Sequence, residues 1–557
     1  MILRRLMCTG SSAPSAGRSS FFNRLLLTGV AFLLAQASVQ AQGQFSGDLQ
    51  LETQFYIRDT TIGASNTEHY DVLKNGGDSW LSLNYLNNDW DLSVGARFDG
   101  FYNSNLHFPG TAFTGIGLGA FYIQKGVGNL DITGGYIYDQ FGSGLTFRAF
   151  EERTLGIDKA LLGARLVYDF NENWSIKTVI GEQKNRFELF KPIIMGANIE
   201  GYVTIGDKIT LTPGFNAVNR TMDKASLDIL RGSLQTQLSS SGATDTLLPK
   251  SNVHTIGAYT SLDVGKFSWY VEGAYRTSEF NPVDTAVGTT ILQNGDGNVF
   301  LTSLTFSQKG LGITGQYRRV DFFEHRTSPN ELLLNGIYNY LPTFTRQNSL
   351  RLPARYNSVA QDDGEQAYQI DVIYQPVKGY TFSLNASDIR TLGGDQLFRE
   401  YYFDLEIRKK KNWKMLLGAN FVSYDQEFYE AKPDAKVVET ITPFVEFLYK
   451  IDRKKSIRCE LQYLNTNGDF GSWMYGLLEF NMAPHWSFAV SDMYNYDPTD
   501  KSPGQIHYYD VAVAYTKAAN RFQIKYARQV EGIVCTGGVC RFEPAFNGVR
   551  FGVTSSF

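Results

Sequence analysis

The chain has 557 residues, of which 43% are hydrophobic, 14% aromatic and 19% charged, and its formal net charge is −4. This weak acidity gives no support for nucleic-acid binding, and no run of about 18 or more apolar residues follows the N-terminal region, so a bundle of membrane helices is excluded. The mean hydropathy of −0.23 resembles that of a soluble protein, but membrane β-barrels also average to neutrality because their strands alternate apolar and polar residues.

The N-terminal segment has the pattern of a secretory signal peptide. An apolar run covers 25–37, the small residues of 39–41 follow it, and four arginines precede it: Arg4, Arg5, Arg18 and Arg24. This pattern predicts a signal peptide over residues 1–41 and a mature chain that begins at Gln42. A membrane anchor is the alternative, and the short apolar run disfavours it.

Beyond this segment, apolar and polar residues alternate with a period of two, which places successive side chains on opposite faces of a strand. For example, Phe403, Leu405 and Ile407 alternate with Asp404, Glu406 and Arg408. A soluble sandwich alternates as well. The pattern predicts about 24 strands: 44–57, 79–87, 90–102, 113–125, 128–138, 159–170, 173–183, 194–206, 208–217, 252–265, 266–278, 296–308, 310–320, 365–376, 379–390, 397–411, 412–424, 437–452, 455–466, 472–483, 485–495, 506–518, 519–530 and 543–557.

Three features favour a transmembrane barrel over a sandwich. Short and long connections alternate along the chain, as periplasmic turns and external loops do in outer-membrane barrels. Five tryptophans follow the short turns and predict a periplasmic aromatic girdle: Trp90, Trp174, Trp269, Trp413 and Trp486. The alternation also runs to the terminal Phe557, which resembles the signal read by the barrel assembly machinery. The expected fold is therefore all-β, a single large antiparallel transmembrane β-barrel of about 24 strands (range about 20–26) over residues 42–557.

A barrel of this size has a lumen that strand side chains cannot fill. Segments 139–158 and 321–363 are long enough to fold inward. Within the first segment, Arg148, Glu151, Glu152 and Arg153 could form a charged constriction of the lumen, although a solvated external loop with surface ion pairs is an equal alternative. Segment 222–237 has the apolar spacing of a short amphipathic helix.

Chemical motifs are sparse. The loop from Cys535 to Cys540 predicts a small disulfide in an oxidising envelope, with a metal pair as the alternative. None of the six histidines has metal-ligand spacing,. The run Asn294–Asn298 predicts a hairpin turn rather than a calcium turn. No cofactor or catalytic motif is present, and an enzyme acting on lipid would need a Ser/His/acid cluster that the strand assignments do not supply.

Several segments resemble a family of predicted outer-membrane proteins of the Bacteroidota that carries only a domain-of-unknown-function label. They are QFGSGL at 140–145, the residues Glu151, Arg153 and 156–158 before Gly163, NYLP at 339–342 before 346–347, QDDGE at 361–365, and GIVCTGGVCR at 532–541 before 544–546. The resemblance covers nearly the whole mature chain and implies lineage and location. The family has no established activity, so it assigns no functional residue.

These observations predict an integral outer-membrane protein of a Gram-negative bacterium. The first hypothesis is a porin-like or transport channel for polar solutes, or part of an envelope transport complex. The alternative is a non-conducting scaffold that binds a partner. Expected partners are outer-membrane lipid and the barrel assembly machinery during biogenesis, with an envelope protein as a further candidate, and no nucleic acid is expected.

Overall fold

The computed structural model describes residues 43–206, 208–241, 248–284, 290–331, 334–360, 364–430, 432, 435–536 and 539–557. The predicted signal peptide, residues 1–41, lies outside them. The described residues from Phe45 to Phe557 form one compact unit.

The wall consists of 24 strands, which agrees with the number expected from the alternation. They are β1 Gln44–Tyr56, β2 Asn75–Asn87, β3 Leu92–Ser104, β4 Phe113–Val127, β5 Leu130–Ile137, β6 Leu161–Asn171, β7 Trp174–Asn185, β8 Glu188–Gly201, β9 Ile209–Thr221, β10 Asn252–Val264, β11 Phe267–Asp284, β12 Thr290–Gln308, β13 Leu311–Asp321, β14 Glu365–Val377, β15 Tyr380–Thr391, β16 Gln396–Ile407, β17 Trp413–Tyr424, β18 Val438–Lys450, β19 Lys455–Leu464, β20 Gly471–Met482, β21 Trp486–Pro498, β22 His507–Lys517, β23 Asn520–Gln529 and β24 Phe546–Ser556.

The wall is a closed antiparallel barrel. Each strand pairs with its neighbours in chain order, and a short strand Val203–Ile205 continues β8 along β9. The last strand pairs with the first, with Leu51 opposite Val553 and Phe55 opposite Val549. Closure leaves no free sheet edge, and a closed barrel is one of the two structures that satisfy every backbone group in lipid. The expected fold class is confirmed.

Apolar side chains face outward and polar ones face the lumen. In β16, Phe403 is 39% exposed on the outside, whereas Asp404 beside it is only 4% exposed. The same inversion recurs around the wall, where exposed outward residues include Ile123, Ile180, Phe215, Ile256, Leu304, Ile370, Leu384, Phe421, Leu461, Leu478, Val490 and Ile524. The unpaired Cys459 of β19 is also exposed. This arrangement is the reverse of a water-soluble protein.

The two rims of the barrel differ in their connections. At one rim, every link between strands has two to five residues. The opposite rim carries the long connections, including 138–160, 222–251, 322–364 and 530–545. We call these the short-turn rim and the loop rim. The main hydrophobic core lies inside the barrel toward the loop rim, where Phe323, Phe344, Leu352 and Trp473 are almost fully buried.

Two α-helices lie in loop-rim connections, α1 at Lys224–Ser241 and α2 at Gln426–Glu430, together with 3₁₀ turns at Thr60–Ile62 and Arg153–Leu155 and a π turn at His69–Leu73. Helix α1 confirms the predicted amphipathic helix and extends it; its Leu230 and Leu234 pack on Phe280. Among the described residues, no helix is long and apolar enough to cross a membrane.

One turn prediction was wrong. Asn294–Asn298 lies within β12 instead of forming a hairpin turn. The β11–β12 ladder continues past a register shift, so that Gly295 lies opposite Glu279 and Asn294 opposite Phe280. Continued pairing along a long hairpin satisfies the backbone of this polar, Gly-rich run.

Candidate functional site

The lumen is too wide to be filled by the side chains of the strands alone. With strands about 4.8 Å apart and tilted by about 40°, a 24-strand wall encloses a circle about 48 Å across its backbone,. Two loop-rim connections fold back into this space. We name their described residues within 139–158 and 322–360 the luminal plug.

The first plug segment is packed against the inner wall through apolar side chains. Phe141, Leu145 and Phe147 have no exposed surface. The ring of Phe141 lies over Gly196 of β8, where an added Cβ would come within 2.6 Å of the ring atom Cε2. The wall therefore needs a glycine at this position to seat the plug. This segment folds inward, which is one of the two arrangements that the sequence left open.

Hydrogen bonds attach the same segment to two further wall strands, and a close packing contact reaches a third. The Ser143 amide donates to Oε2 of Glu272 in β11 at 3.1 Å. The Thr146 hydroxyl donates to Oδ1 of Asn216 in β9 at 2.8 Å. Thr146 also lies next to Gly257 of β10, whose Cβ position is 3.0 Å from its Cγ2. The tight course of the chain between these contacts uses Gly144, which has a φ of +99° that favours glycine,.

The second plug segment joins the first and crosses to other parts of the wall. The Arg148 amide donates to the Tyr338 carbonyl at 2.8 Å, and the Tyr340 amide donates to the Gly144 carbonyl at 3.0 Å. Further along, the Arg346 amide donates to Glu400 of β16 at 2.9 Å. The segment then reaches β19, where the Leu352 amide donates to Gln462 at 2.6 Å. The plug is thus attached to widely separated strands of the wall.

Buried arginines of the wall hold the second plug segment. Arg220, Arg276 and Arg318 are fully buried. Arg220 donates to the Thr327 carbonyl at 2.9 Å, and Arg276 donates to the Phe322 carbonyl at 2.8 Å. Arg318 donates to the Pro342 carbonyl.

Carboxylates compensate these buried charges. Glu279 pairs with both Arg220 and Arg276, and Glu365 pairs with Arg318. A buried guanidinium left without its carboxylate is strongly destabilising. The ion pairs therefore hold the guanidinium groups in the wall, from which they donate to the plug carbonyls.

The four residues predicted to form a constriction have three different arrangements. Glu151 and Arg153 pair at 2.8 Å, and Arg153 also reaches Asp48 of β1 at 3.2 Å. Arg148 instead stacks on Tyr340, with its guanidinium carbon 4.2 Å from the ring centre. Glu152 caps the following 3₁₀ turn by accepting from the Thr154 hydroxyl at 2.6 Å. The structure brings only the first two together.

The pair of Glu151 and Arg153 belongs to a larger network with wall residues that the motif search did not select. Arg97 of β3 contacts Asp99 at 2.6 Å, Glu151 at 2.7 Å and Asp158 at 2.6 Å. Lys184 of β7 contacts Asp158 at 2.5 Å. These wall residues fall on the inward face in the strand alternation, and that position is the sequence feature that could have identified them.

A cavity of about 600 Å³ lies between this network and the plug. It is lined by both plug segments, by wall residues and by other loop-rim residues, among them Trp80, Lys159, Arg186, Tyr340, Arg541 and Phe542. Burial, together with the nearby Arg186, Lys184 and Arg541, lowers the pKa of His107 to about 4. The cavity thus has aromatic walls and more basic than acidic side chains in its lining.

The remaining predicted residues are the tryptophans of the girdle, the terminal phenylalanine and the two cysteines of the predicted disulfide. The five selected tryptophans lie at the short-turn rim, each at or near the start of an odd-numbered strand, whereas Trp80 and Trp473 are buried. Phe557 exchanges backbone hydrogen bonds with Gly47 at 2.7 and 3.0 Å. The side chains of Cys535 and Cys540 lie outside the described residues, although the backbone places the two positions opposite each other. No group of three or more His, Cys, Asp or Glu among the described residues could hold a metal ion.

A profile of DUF6029, a family of unknown function, matches residues 21–557. A search of curated proteins gives no match. Similar solved structures include the translocation pore of the P pilus usher PapC, with 8% identity, a TM-score of 0.42, and coverage of 92% of this chain and 99% of that one. The ferric-catecholate import receptor Fiu of E. coli K12 has 10% identity, a TM-score of 0.41, and coverage of 93% and 82%. OpdK of Pseudomonas aeruginosa, solved with vanillate, has 11% identity, a TM-score of 0.34, and coverage of 69% and 96%.

Proposed function

We propose that this chain, which belongs to the DUF6029 family of unknown function, is an outer-membrane transport barrel gated by its own luminal plug. The observation that carries the proposal is a closed wall with an apolar outside and a polar lumen that loop segments occupy. A wall of this width without a plug would be an unselective hole, whereas a plugged wall passes solutes only where the plug leaves or makes a path.

The outer surface supports a membrane location. Its exposed apolar residues would be costly in water and match the hydrocarbon core of a bilayer. Trp90, Trp174, Trp269, Trp413 and Trp486 at the short-turn rim would form an aromatic girdle at the periplasmic interface. Phe557, which directly follows the last strand, would serve as the assembly signal. The loop rim would then face the outside of a Gram-negative cell.

Two finer assignments accompany the proposal. We infer a disulfide between Cys535 and Cys540, because directly opposed residues of a hairpin have a Cα separation that a disulfide can bridge. We also infer a source among the Bacteroidota, which rests on the resemblance of the plug and loop motifs alone.

Conductance in planar lipid bilayers tests the transport function. The double variant Phe141→Ser/Phe147→Ser removes two fully buried rings that seat the plug, each worth about 3–5 kcal/mol,. We expect rare openings from the unaltered protein and frequent, larger current steps from this variant. Phe428→Ser, which alters an exposed phenylalanine of α2 in another loop, is the matched control and leaves the current unchanged.

A non-conducting scaffold is the second candidate, and the pinned plug favours it. Arg220, Arg276 and Arg318 bind plug carbonyls from three different strands, so the plug could be a permanent filling. Absence of current from both the unaltered protein and the Phe141→Ser/Phe147→Ser variant would reject transport. A stoichiometric partner that copurifies from native membranes would then support the scaffold.

A further inference from the structure

We propose that the cavity beside the luminal plug binds a small organic anion that has an apolar body. The inference rests on the proposed transport function, because it names the class of solute that the barrel would select. The charges, the aromatic lining and the volume of the cavity support it.

Each carboxylate that lines the cavity already has a cationic partner. Asp99 and Glu151 contact Arg97 at 2.6 and 2.7 Å. Asp158 contacts Lys184 at 2.5 Å, and Glu324 pairs with Arg326. These ion pairs use up the negative charge of the lining.

Cations remain in excess on the same surface. Lys159 is only 7% exposed, and no carboxylate of the described residues lies within 4.0 Å of its ammonium. Arg186 contacts the rings of Phe108 and Phe113, at 5.0 and 4.6 Å, instead of an acid. Arg541 is 3.7 Å from the carboxylate of Glu543. A buried ammonium without a counter-ion is unfavourable unless an anion joins it or it loses its proton.

The rest of the lining is aromatic. Rings of Trp80, Phe108, Phe150, Tyr340 and Phe542 border the cavity, together with the cations. A volume of about 600 Å³ lies within the usual range for small-molecule sites, which combine apolar walls with a few polar groups that fix orientation. An inorganic ion would leave most of this aromatic surface unused. The geometry therefore favours a carboxylate or similar group carried on a ring or chain.

The charge requirement is tested by isothermal titration calorimetry on the full chain in detergent. The probes are 2-naphthoate, its uncharged isostere 2-naphthamide, and inorganic phosphate. We expect 2-naphthoate to bind at one site with a Kd at least tenfold below those of 2-naphthamide and phosphate. Equal affinity for the amide would overturn the charge requirement, and equal affinity for phosphate would overturn the apolar body.

Variants locate the site. Lys159→Met and Arg186→Gln should each weaken 2-naphthoate binding at least tenfold, whereas Lys191→Met, which alters a lysine that is 69% exposed, should leave it unchanged. Lys159→Met removes an uncompensated buried charge, so its thermal stability without probe should rise, which separates lost binding from misfolding. Unchanged binding in both cavity variants overturns the assignment. Because binding is measured without a membrane, its failure is distinguishable from a failure to conduct.

Discussion

The ion pair between Arg318 of β13 and Glu365 of β14 gives a quantitative test of how the plug is held. Both side chains have no exposed surface, and Arg318 also donates to the Pro342 carbonyl of the plug. Glu365→Gln keeps the shape of the side chain but leaves the guanidinium without its counter-ion. Breaking such a buried pair costs about 3–5 kcal/mol, which corresponds to roughly two to four orders of magnitude in the population of the detached plug.

Amide hydrogen exchange followed by mass spectrometry measures this population. The Tyr340 amide, which donates to the Gly144 carbonyl at 3.0 Å, reports on plug attachment. Peptides that contain it should exchange about 10²–10⁴ times faster in Glu365→Gln than in the unaltered protein. Glu427→Gln, at an exposed position of α2, is the control and should leave the rate unchanged.

The double variant Arg318→Met/Glu365→Leu distinguishes a charge effect from a packing effect. Replacing both partners of a buried ion pair by apolar groups is often close to neutral for stability, whereas the Pro342 carbonyl, left without its donor, costs about 1–3 kcal/mol. Part of the protection should therefore return. If Glu365→Gln exchanges like the control, or if the double variant is no better than the single one, the ion pair does not hold the plug.

Three further predictions follow from other contacts. Gly196→Val should displace the Phe141 ring, at an overpacking cost of about 1–3 kcal/mol, and should speed amide hydrogen exchange in the first plug segment. Unchanged exchange would show that the plug does not depend on the contact between Phe141 and Gly196. Burial, with Arg326 and Arg148 nearby, lowers the pKa of Lys159 to about 7. Affinity for 2-naphthoate should therefore fall up to about tenfold per pH unit above pH 7, as the empty site loses the proton that the anion needs. Lys159→Arg should flatten that profile, and a pH-independent affinity in the unaltered protein would contradict it. Iodoacetamide should label Cys535 and Cys540 only after reduction, and labelling without reductant would exclude the disulfide.

The wall could be predicted from sequence because strand alternation is a local property. Phe403 and Asp404 differ in polarity, and that difference alone specifies which of them faces outward. The long connections could also be recognised, since a lumen of this width requires a filling and segment 139–158 carries buried-type residues such as Phe141 and Phe147.

The internal contacts of the lumen could not be predicted in the same way. Glu151 meets Arg97 only because the plug returns to β3, and this contact depends on a three-dimensional path that residue spacing does not encode. Arg148 shows the same limit, because its aromatic partner Tyr340 lies almost two hundred residues further along the chain. The polar run around Gly295 was assigned to a turn because Asn, Asp and Gly favour turns, yet strand pairing overrode that preference.

The most direct test of plug gating is a reversible lock between the plug and the wall. In the variant Thr146→Cys/Gly257→Cys, the new Cβ at position 257 would lie 3.0 Å from the present Cγ2 of Thr146, which suits a disulfide once the side-chain amide of Asn216, 2.7 Å from the same Cβ, moves aside. Single-channel current is then recorded from the oxidised and reduced variant, with the unaltered protein under the same reductant as control. Our account predicts no openings when the lock is oxidised and full recovery on reduction. Equal current in both states would contradict it, because solutes would then cross without any movement of the plug.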